Sequence, residues 1–323
     1  MPATPPPPTA TPDIFLDEIE VQELPLGAPL DEAEAEISGM AWYKETLVLL
    51  PQFPERYNGQ LFGVLKADIE AHIASESSTP LVPFPMAFDD SGLHDSIEGF
   101  EGFEAIAFAG GQVFVTIEAR RTATTMTGYI VAGAITASGS MRLNPATLIE
   151  LPAPVPLENY SDEAITIAGV RLFTFYEANG ATVNPNAVAH AFSLSFEPQA
   201  PLPLAPLEYR LTDATPADAE NRFWVINYLF PGDIPKLRLA EDQYKAEYGE
   251  GESHSRDLGI ERLIQLEITE TGIEPTDTPP LYLQLELGNP RNWEGIAHLD
   301  NAGFLLVTDK FPSTILGFVA YPH

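Results

Sequence analysis

Five segments of the chain carry a polar residue at each end, and the spacing between the two ends is nearly constant. In each segment a first polar residue, an apolar run, a turn and a second apolar run lead to a second polar residue 14 or 15 positions later. The first positions are Ser38, Glu104, Glu163, Asp213 and Glu294, and the second positions are Gln52, Glu118, Glu177, Asn227 and Asp309. Hard oxygen ligands of these types suit calcium, whereas zinc and copper favour His or Cys.

Each segment has the pattern of a β-hairpin, because turn-forming residues such as Gly110 and Gly111 separate its two apolar runs. A hairpin returns the chain to the end at which it began, so the two polar residues of a segment should lie side by side. Further strand-like runs follow the hairpins, for example from Gly59 and from Thr127. Four strands per repeat are typical of a propeller blade.

The repeat intervals set the predicted architecture. Successive first positions are 66, 59, 50 and 81 residues apart. We predict an all-β fold, a single β-propeller over residues 13–323 with five blades of about four strands. The last repeat has room for about three strands, so the N-terminal run IFLDEIEVQEL is predicted to add its outer strand and close the ring. A sixth blade within the longer intervals is the alternative.

The first positions should converge, because the innermost strand of every propeller blade lines the central channel. Four carboxylates brought together there would repel one another and would bind either protons or a cation. We predict a calcium ion on the axis, held by the first positions, with the second positions forming an outer ring. The alternative is that these residues cap strand ends and face water. Glu98 and Glu101 are close to the second segment, and only the 14-residue spacing selects Glu104.

The overall charge restricts the partners. Asp and Glu number 47 against 16 Lys and Arg, which gives a formal charge of −31. A chain of this charge repels nucleic acid and attracts cations. The alternative is that most of the acidic residues only keep the protein soluble. The absence of cysteine excludes disulfides and thiolate chemistry. The longest uncharged apolar stretch, around Tyr129 to Met141, is too short to span a bilayer, so no transmembrane segment is expected.

Two segments depart from the strand pattern. Residues 1–12 are rich in Pro and Thr and predict an extended tether. A tether at this position is typical of an exported protein, so we expect an extracellular or periplasmic monomer whose signal peptide, with or without a lipid-bearing cysteine, has been removed. Residues 231–258 have helical periodicity and should emerge at the polar mouth of the channel. They form either a lid or a solvated decoration.

No short motif identifies a catalytic residue. The sequence contains no G-x-S-x-G, P-loop, G-x-G-x-x-G, H-E-x-x-H or EF-hand pattern, and its six histidines are scattered. Three basic residues directly follow outer-ring positions: Arg120 and Arg121 come after Glu118, and Lys310 comes after Asp309. They are candidates for contact with an anionic ligand, such as a phosphorylated small molecule.

Two stretches resemble a known family. NWEGIAHLDNAGFLLVTDKFPSTILGF and LTDATPADAENRFWVINYLFPGD resemble blade signatures of the esterase-like phytase family of bacterial propellers. The five-blade count and the order Ser38, Glu104, Glu163, Glu294 also resemble calcium-dependent apyrases, whose propeller holds calcium on its axis. Asp213 departs from that pattern, because the apyrase family has a smaller hydroxyl residue there.

The resemblance implies a calcium-dependent phosphoester or phosphoanhydride hydrolase. A bound cation would polarise phosphate oxygens and position water. Two alternatives stay open: a non-catalytic binding module with structural calcium, and a lactonase or other ester hydrolase, which would require a His near the metal.

Overall fold

The computed structural model describes residues 15–32, 35–75, 77–122 and 124–322, and strands dominate them. In chain order, β1 to β12 are Phe15–Leu16, Glu18–Ile19, Gln22–Leu24, Ile37–Tyr43, Thr46–Pro51, Gln60–Leu65, Phe84–Asp89, Phe100–Ala109, Gln112–Thr122, Thr125–Ile135, Met141–Leu143 and Ile149–Pro152. The later strands, β13 to β25, are Asp162–Ala168, Arg171–Tyr176, Val188–Ser193, Pro198–Pro203, Arg210–Ala214, Arg222–Leu229, Glu250–Gly251, Ile260–Ile268, Ile273–Pro275, Leu281–Leu283, Trp293–Leu299, Gly303–Thr308 and Leu316–Ala320.

Helices are short and lie between strands. They are α1 (Lys66–Ser75), α2 (Leu93–Ser96), α3 (Ile234–Leu237) and α4 (Gln243–Tyr248). Turns of 3₁₀ helix occupy Pro54–Tyr57, Pro145–Thr147, Pro231–Asp233 and His254–Arg256. The segment predicted to be helical, residues 231–258, thus contains α3, α4 and β19. Among the described residues no helix is long and apolar enough to cross a membrane.

The strands pair mainly with their sequence neighbours. One path runs β4-β5-β6-β7, a second runs β8-β9-β10-β11 with β12 on β10, and a short parallel pairing of β7 with β11 joins the two. The other large sheets follow β13-β14-β15-β16, β17-β18-β20-β22-β2 with β21 on β20, and β23-β24-β25-β3. β1 pairs with β19. Each path begins with the first strand of a predicted hairpin.

The first strands of these paths form a closed cycle. β4 contacts β8, β8 contacts β13, β13 contacts β17, β17 contacts β23, and β23 contacts β4. Apolar clusters fill the spaces between neighbouring sheets. Phe175 packs on Phe223 between the β13 and β17 sheets, Trp224 packs on Phe304 between the β17 and β23 sheets, and Leu49 shares a cluster with Leu305. These clusters bury the apolar faces of the sheets on both sides.

The chain is therefore an all-β propeller, as predicted. The N-terminal segment closes the ring: β3 pairs antiparallel with β25 as the outer strand of the last sheet. The count of five blades stays a prediction, because the pairing of β7 with β11 merges the first two predicted blades into one nine-stranded sheet. The predicted tether, residues 1–12, lies outside the described residues, and the extracellular or periplasmic location also stays a prediction.

Candidate functional site at the mouth of the propeller

A β-bulge marks every first position. In the second hairpin Phe103 pairs with Ile117 but Ile106 pairs with Val115, so the inner strand carries an extra residue at Glu104 and Ala105. Equivalent breaks in register lie at the other first positions, Ser38, Glu163, Asp213 and Glu294. A bulge bends its strand and changes the direction of the side chain it carries. All five positions therefore lie at a break in register in the first strand of a hairpin.

Three of the five first positions reach one cavity. This mouth cavity has a volume of about 400 Å³ and is lined by Glu36, Gln52, Phe53, Arg56, Glu101, Glu104, Glu118, Asn159, Glu163, Arg210, Asn292, Glu294, Asp309, Lys310 and Phe311. Glu104, Glu163 and Glu294 come from the first positions, and Gln52, Glu118 and Asp309 come from the second. The seven carboxylates outnumber the three cationic side chains in this lining.

Ser38 and Asp213 instead join neighbouring inner strands. The Ser38 hydroxyl donates to the carbonyl oxygen of Phe103 at 2.5 Å, which ties β4 to β8. Asp213 Oδ2 accepts from the backbone N–H of Ile296 at 2.8 Å, which ties β17 to β23. Both side chains are buried, and neither lines the mouth cavity. Each side chain therefore links two neighbouring inner strands.

Arg210 lies among the carboxylates. It begins β17, is buried, and donates through Nε to Glu177. Its Nη2 is 3.2 Å from Glu163 Oε2 and 3.6 Å from Glu294 Oε1. The guanidinium thus provides an internal positive charge for three of the predicted carboxylates. No sequence motif marks Arg210 as a site residue, although a basic residue in an inner strand of so acidic a chain is a usable signal.

The Glu294 side of the cavity is held by amide contacts. Asn292 Oδ1 accepts from Arg210 Nη1 at 3.2 Å, and Asn292 Nδ2 donates to Glu294 Oε1 at 2.5 Å. Asp309 Oδ1 accepts from the N–H of Phe311 at 2.7 Å. Burial and repulsion from Asp309 raise the pKa of Glu294, and Arg210 opposes this shift.

Glu104 and Glu118 form a second acidic region. Glu104 Oε1 accepts from Gln52 Nε2 at 3.1 Å. Oε1 of Glu118 is buried and has no hydrogen-bond partner among the described residues. Burial, and then repulsion from Glu118, hold the pKa of Glu104 well above its ordinary value. Burial, and then repulsion from Glu177, raise the pKa of Glu118 to about 8. These two carboxyls therefore favour a bound proton or a bound cation.

Glu36 forms ion pairs with two cationic side chains at the rim of the cavity. It precedes β4 and pairs with both Arg56 and Lys310, whose side chains are roughly half-exposed. Burial disfavours ionisation of Glu36, but the hydrogen bonds from Lys310 and Arg56 outweigh it and lower the pKa. Lys310, a predicted ligand contact, is thus at the cavity entrance.

The remaining predicted residues lie behind or beside the cavity. Asn227 is buried, donates to the carbonyl oxygens of Glu208 and Arg210, and accepts from Arg262. Arg120 is held by Glu101, Glu158 and Asn159 next to the rim.

Arg121 pairs with Tyr129 and Glu150 and does not line the mouth cavity.

Among the described residues no group of three or more acidic or histidine side chains has the arrangement of a metal site. Calcium on the axis therefore stays a prediction.

Comparison with known proteins finds structural likeness at low identity and no family match. No family model and no curated protein matches the chain. Among solved structures, a glucose dehydrogenase aligns over 91% of this chain and 98% of its own, with a TM-score of 0.48 and 11% identity. An α-L-arabinanase mutant from Cellvibrio cellulosa aligns over 88% and 90%, with a TM-score of 0.47 and 10% identity.

The soluble aldose sugar dehydrogenase from Escherichia coli aligns over 94% of this chain and 99% of its own, with a TM-score of 0.46 and 9% identity. The resemblance to the phytase-like and apyrase families stays a prediction. By its own strand order the chain is an all-β propeller with an acidic cavity at one mouth.

Proposed function

We propose that the mouth cavity is the active site of a calcium-dependent hydrolase of phosphoesters or phosphoanhydrides. The observation that carries the proposal is Glu118 Oε1, a buried carboxylate oxygen without a partner among the described residues, beside a second buried carboxylate, Glu104. A buried anion is costly unless a proton or a cation neutralises it. A divalent cation would neutralise both groups.

The two sides of the cavity differ in what neutralises them. Arg210 contacts Glu163, Glu177 and Glu294, so that side has an internal cation. On the Glu104 side the direct contact in the structure is the amide of Gln52. Glu104 and Glu118, with the amide oxygen of Gln52, are oxygen donors of the class that calcium prefers. These residues would hold the ion.

The rim supplies positive charge for an anionic substrate. Lys310 and Arg56 share Glu36 as their partner, so a phosphate group arriving at the entrance could exchange for that carboxylate. The formal charge of −31 repels phosphates elsewhere on the molecule. Calcium, when bound, would polarise a phosphate oxygen and orient water. Activity should therefore require calcium.

The test combines calcium binding with phosphate release. Isothermal titration of chelator-treated protein with calcium should show binding, and Glu118→Gln should weaken it strongly. Glu158→Gln is the matched control, because Glu158 also pairs with Arg120 but is 60% exposed and does not line the mouth cavity. Calcium should also stabilise the fold, by about 2.7 kcal/mol at a hundredfold excess over Kd. Equal binding by wild type and Glu118→Gln would refute the assignment.

Phosphate release is then measured from nucleoside di- and triphosphates, phytate and an aryl phosphate, with calcium and with chelator. Release that requires calcium and is lost in Glu118→Gln supports the proposal. Absence of release from every substrate with calcium bound would leave a calcium-binding module without this activity.

A second function follows if Arg210 takes the place of the metal. The guanidinium already contacts three carboxylates. In that case the cavity binds an uncharged or cationic ligand without calcium, as a ligand-binding module. Absence of calcium binding in the titration above would favour this alternative.

A further inference from the structure

A second cavity adjoins the mouth cavity and has a different chemical character. It has a volume of about 340 Å³ and shares Arg210, Asn292 and Phe311 with the mouth cavity. The rest of its wall is largely apolar and includes Tyr228, Phe230, Pro290 and Pro312. The two cavities therefore share part of their walls, and one is charged whereas the other is largely apolar.

Two phenylalanine rings form the exposed walls of this apolar cavity. Phe230 directly follows β18 and is 47% exposed, and Phe311 follows Lys310 and is 58% exposed. The Phe230 ring lies over Gly232, where an added Cβ would come 2.5 Å from ring atom Cε1. Only glycine at this position leaves room for the ring as placed. Exposed aromatic rings beside convergent polar groups are typical of a ligand site.

Arg210 connects the two parts. Its guanidinium carbon is 5.7 Å from the ring centroid of buried Tyr228, while its nitrogens contact the carboxylates of the mouth cavity. A group bound in the apolar cavity would therefore lie beside Arg210, whose nitrogens contact the carboxylates of the mouth cavity. Asp233 also lines the apolar cavity and disfavours a second anionic group there.

We propose that the apolar cavity binds the uncharged aryl group of the substrate, while the phosphate group to be hydrolysed lies in the mouth cavity. Flat walls of Phe and Tyr rings favour an aromatic occupant, because rings stack face to edge or offset. Hydrolysis adds water across the phosphorus–oxygen bond: hydroxide joins phosphorus, and the aryl oxygen leaves with the other proton. The inference rests on the proposed function for its substrate, but the aryl cavity can be tested by itself.

The binding test uses 1-naphthol, whose fluorescence reports an apolar environment, with chelator present. Phe230→Ala should weaken naphthol binding about tenfold, which corresponds to about 1.4 kcal/mol. Phe84→Ala is the matched control, because Phe84 is an exposed phenylalanine on β7 that lines neither cavity. It should leave binding unchanged. Equal naphthol affinity in Phe230→Ala and wild type would overturn the assignment. A Phe230→Leu variant that keeps full affinity would overturn the aromatic preference.

The activity test compares 1-naphthyl phosphate with methyl phosphate in the presence of calcium. Phe230→Ala should raise the KM about tenfold for the naphthyl substrate and leave methyl phosphate unaffected. Calcium-dependent phosphate release with no Phe230 effect would overturn the aryl cavity alone. Naphthol binding that depends on Phe230, with no release from any phosphate, would support the cavity and overturn the proposed function.

Discussion

Removing the positive charge of Arg210 tests how the acidic cavity is held together. Arg210→Met keeps an unbranched apolar stem but takes the guanidinium away from Glu163, Glu177 and Glu294. Glu177 is fully buried and therefore cannot recover its hydration in place. In this variant the carboxylates either stay charged without a partner, take up protons, or become hydrated because the mouth of the propeller opens. Each outcome costs folding free energy.

Breaking a buried ion pair by removing one partner costs about 3–5 kcal/mol. For a domain of this size each kcal/mol lowers Tm by about 2 °C, so a decrease of about 6–10 °C is expected at pH 8. Burial already raises the pKa values of Glu163 and Glu294, and Arg210 opposes that shift. Without Arg210 both pKa values rise further. When folding raises the pKa of a carboxyl group, the free energy of unfolding decreases as pH increases from the unfolded pKa toward the folded pKa. The loss of stability caused by Arg210→Met should therefore be smaller at pH 5 than at pH 8.

The assay is thermal unfolding with chelator at pH 5 and pH 8. Arg142→Met is the control, because Arg142 is 73% exposed and its pair with Asp89 lies at the surface. Such pairs contribute about 0–1 kcal/mol. Arg210→Lys should fall between wild type and Arg210→Met, since it keeps the charge but not the forked geometry. A loss no larger than that of Arg142→Met, or one independent of pH, would refute this account.

Three further predictions concern the same mouth. Because burial and then Glu177 raise the pKa of Glu118 to about 8, the calcium-free protein should lose stability between pH 5 and pH 8. Glu118→Gln should flatten this dependence of Tm on pH, and parallel curves would contradict the explanation. Asp213→Ala leaves the N–H of Ile296 without its acceptor and should cost about 1–3 kcal/mol in denaturant unfolding while calcium affinity is unchanged. A loss of calcium binding without a loss of stability would instead place Asp213 in the site. Glu104→Ala should remove most of the calcium-dependent increase in Tm, because Glu104 is one of the carboxylates proposed to hold the ion, and an equal chelator effect in both proteins would show that calcium binds elsewhere.

Local sequence patterns were sufficient to predict the all-β propeller and the end of the hairpins at which the polar residues lie. The 14- and 15-residue spacings, with turn residues between apolar runs, correspond to β4-β5, β8-β9, β13-β14, β17-β18 and β23-β24. A hairpin is set by neighbours in sequence, so its period is legible in one chain. The same spacing aligned the five bulged positions, because each lies at the equivalent point of an inner strand.

The direction of each side chain depended on contacts between residues far apart in sequence. Ser38 and Asp213 share the bulged position with Glu104, Glu163 and Glu294, yet they bond to backbone atoms of the neighbouring inner strand. Arg210 enters the carboxylate cluster because β13, β17 and β23 meet around the axis.

The sequence alone therefore determined the hairpin repeat, the all-β propeller and the acidic mouth. Only the tertiary structure decided that Arg210 and Glu36 line the mouth cavity and that the apolar cavity of Phe230 and Phe311 adjoins it. The physical reason is the separation in sequence between the residues that determine each feature. Strand period and turns are fixed by adjacent residues, whereas the pairing of buried charges is decided by which side chains meet when the ring closes.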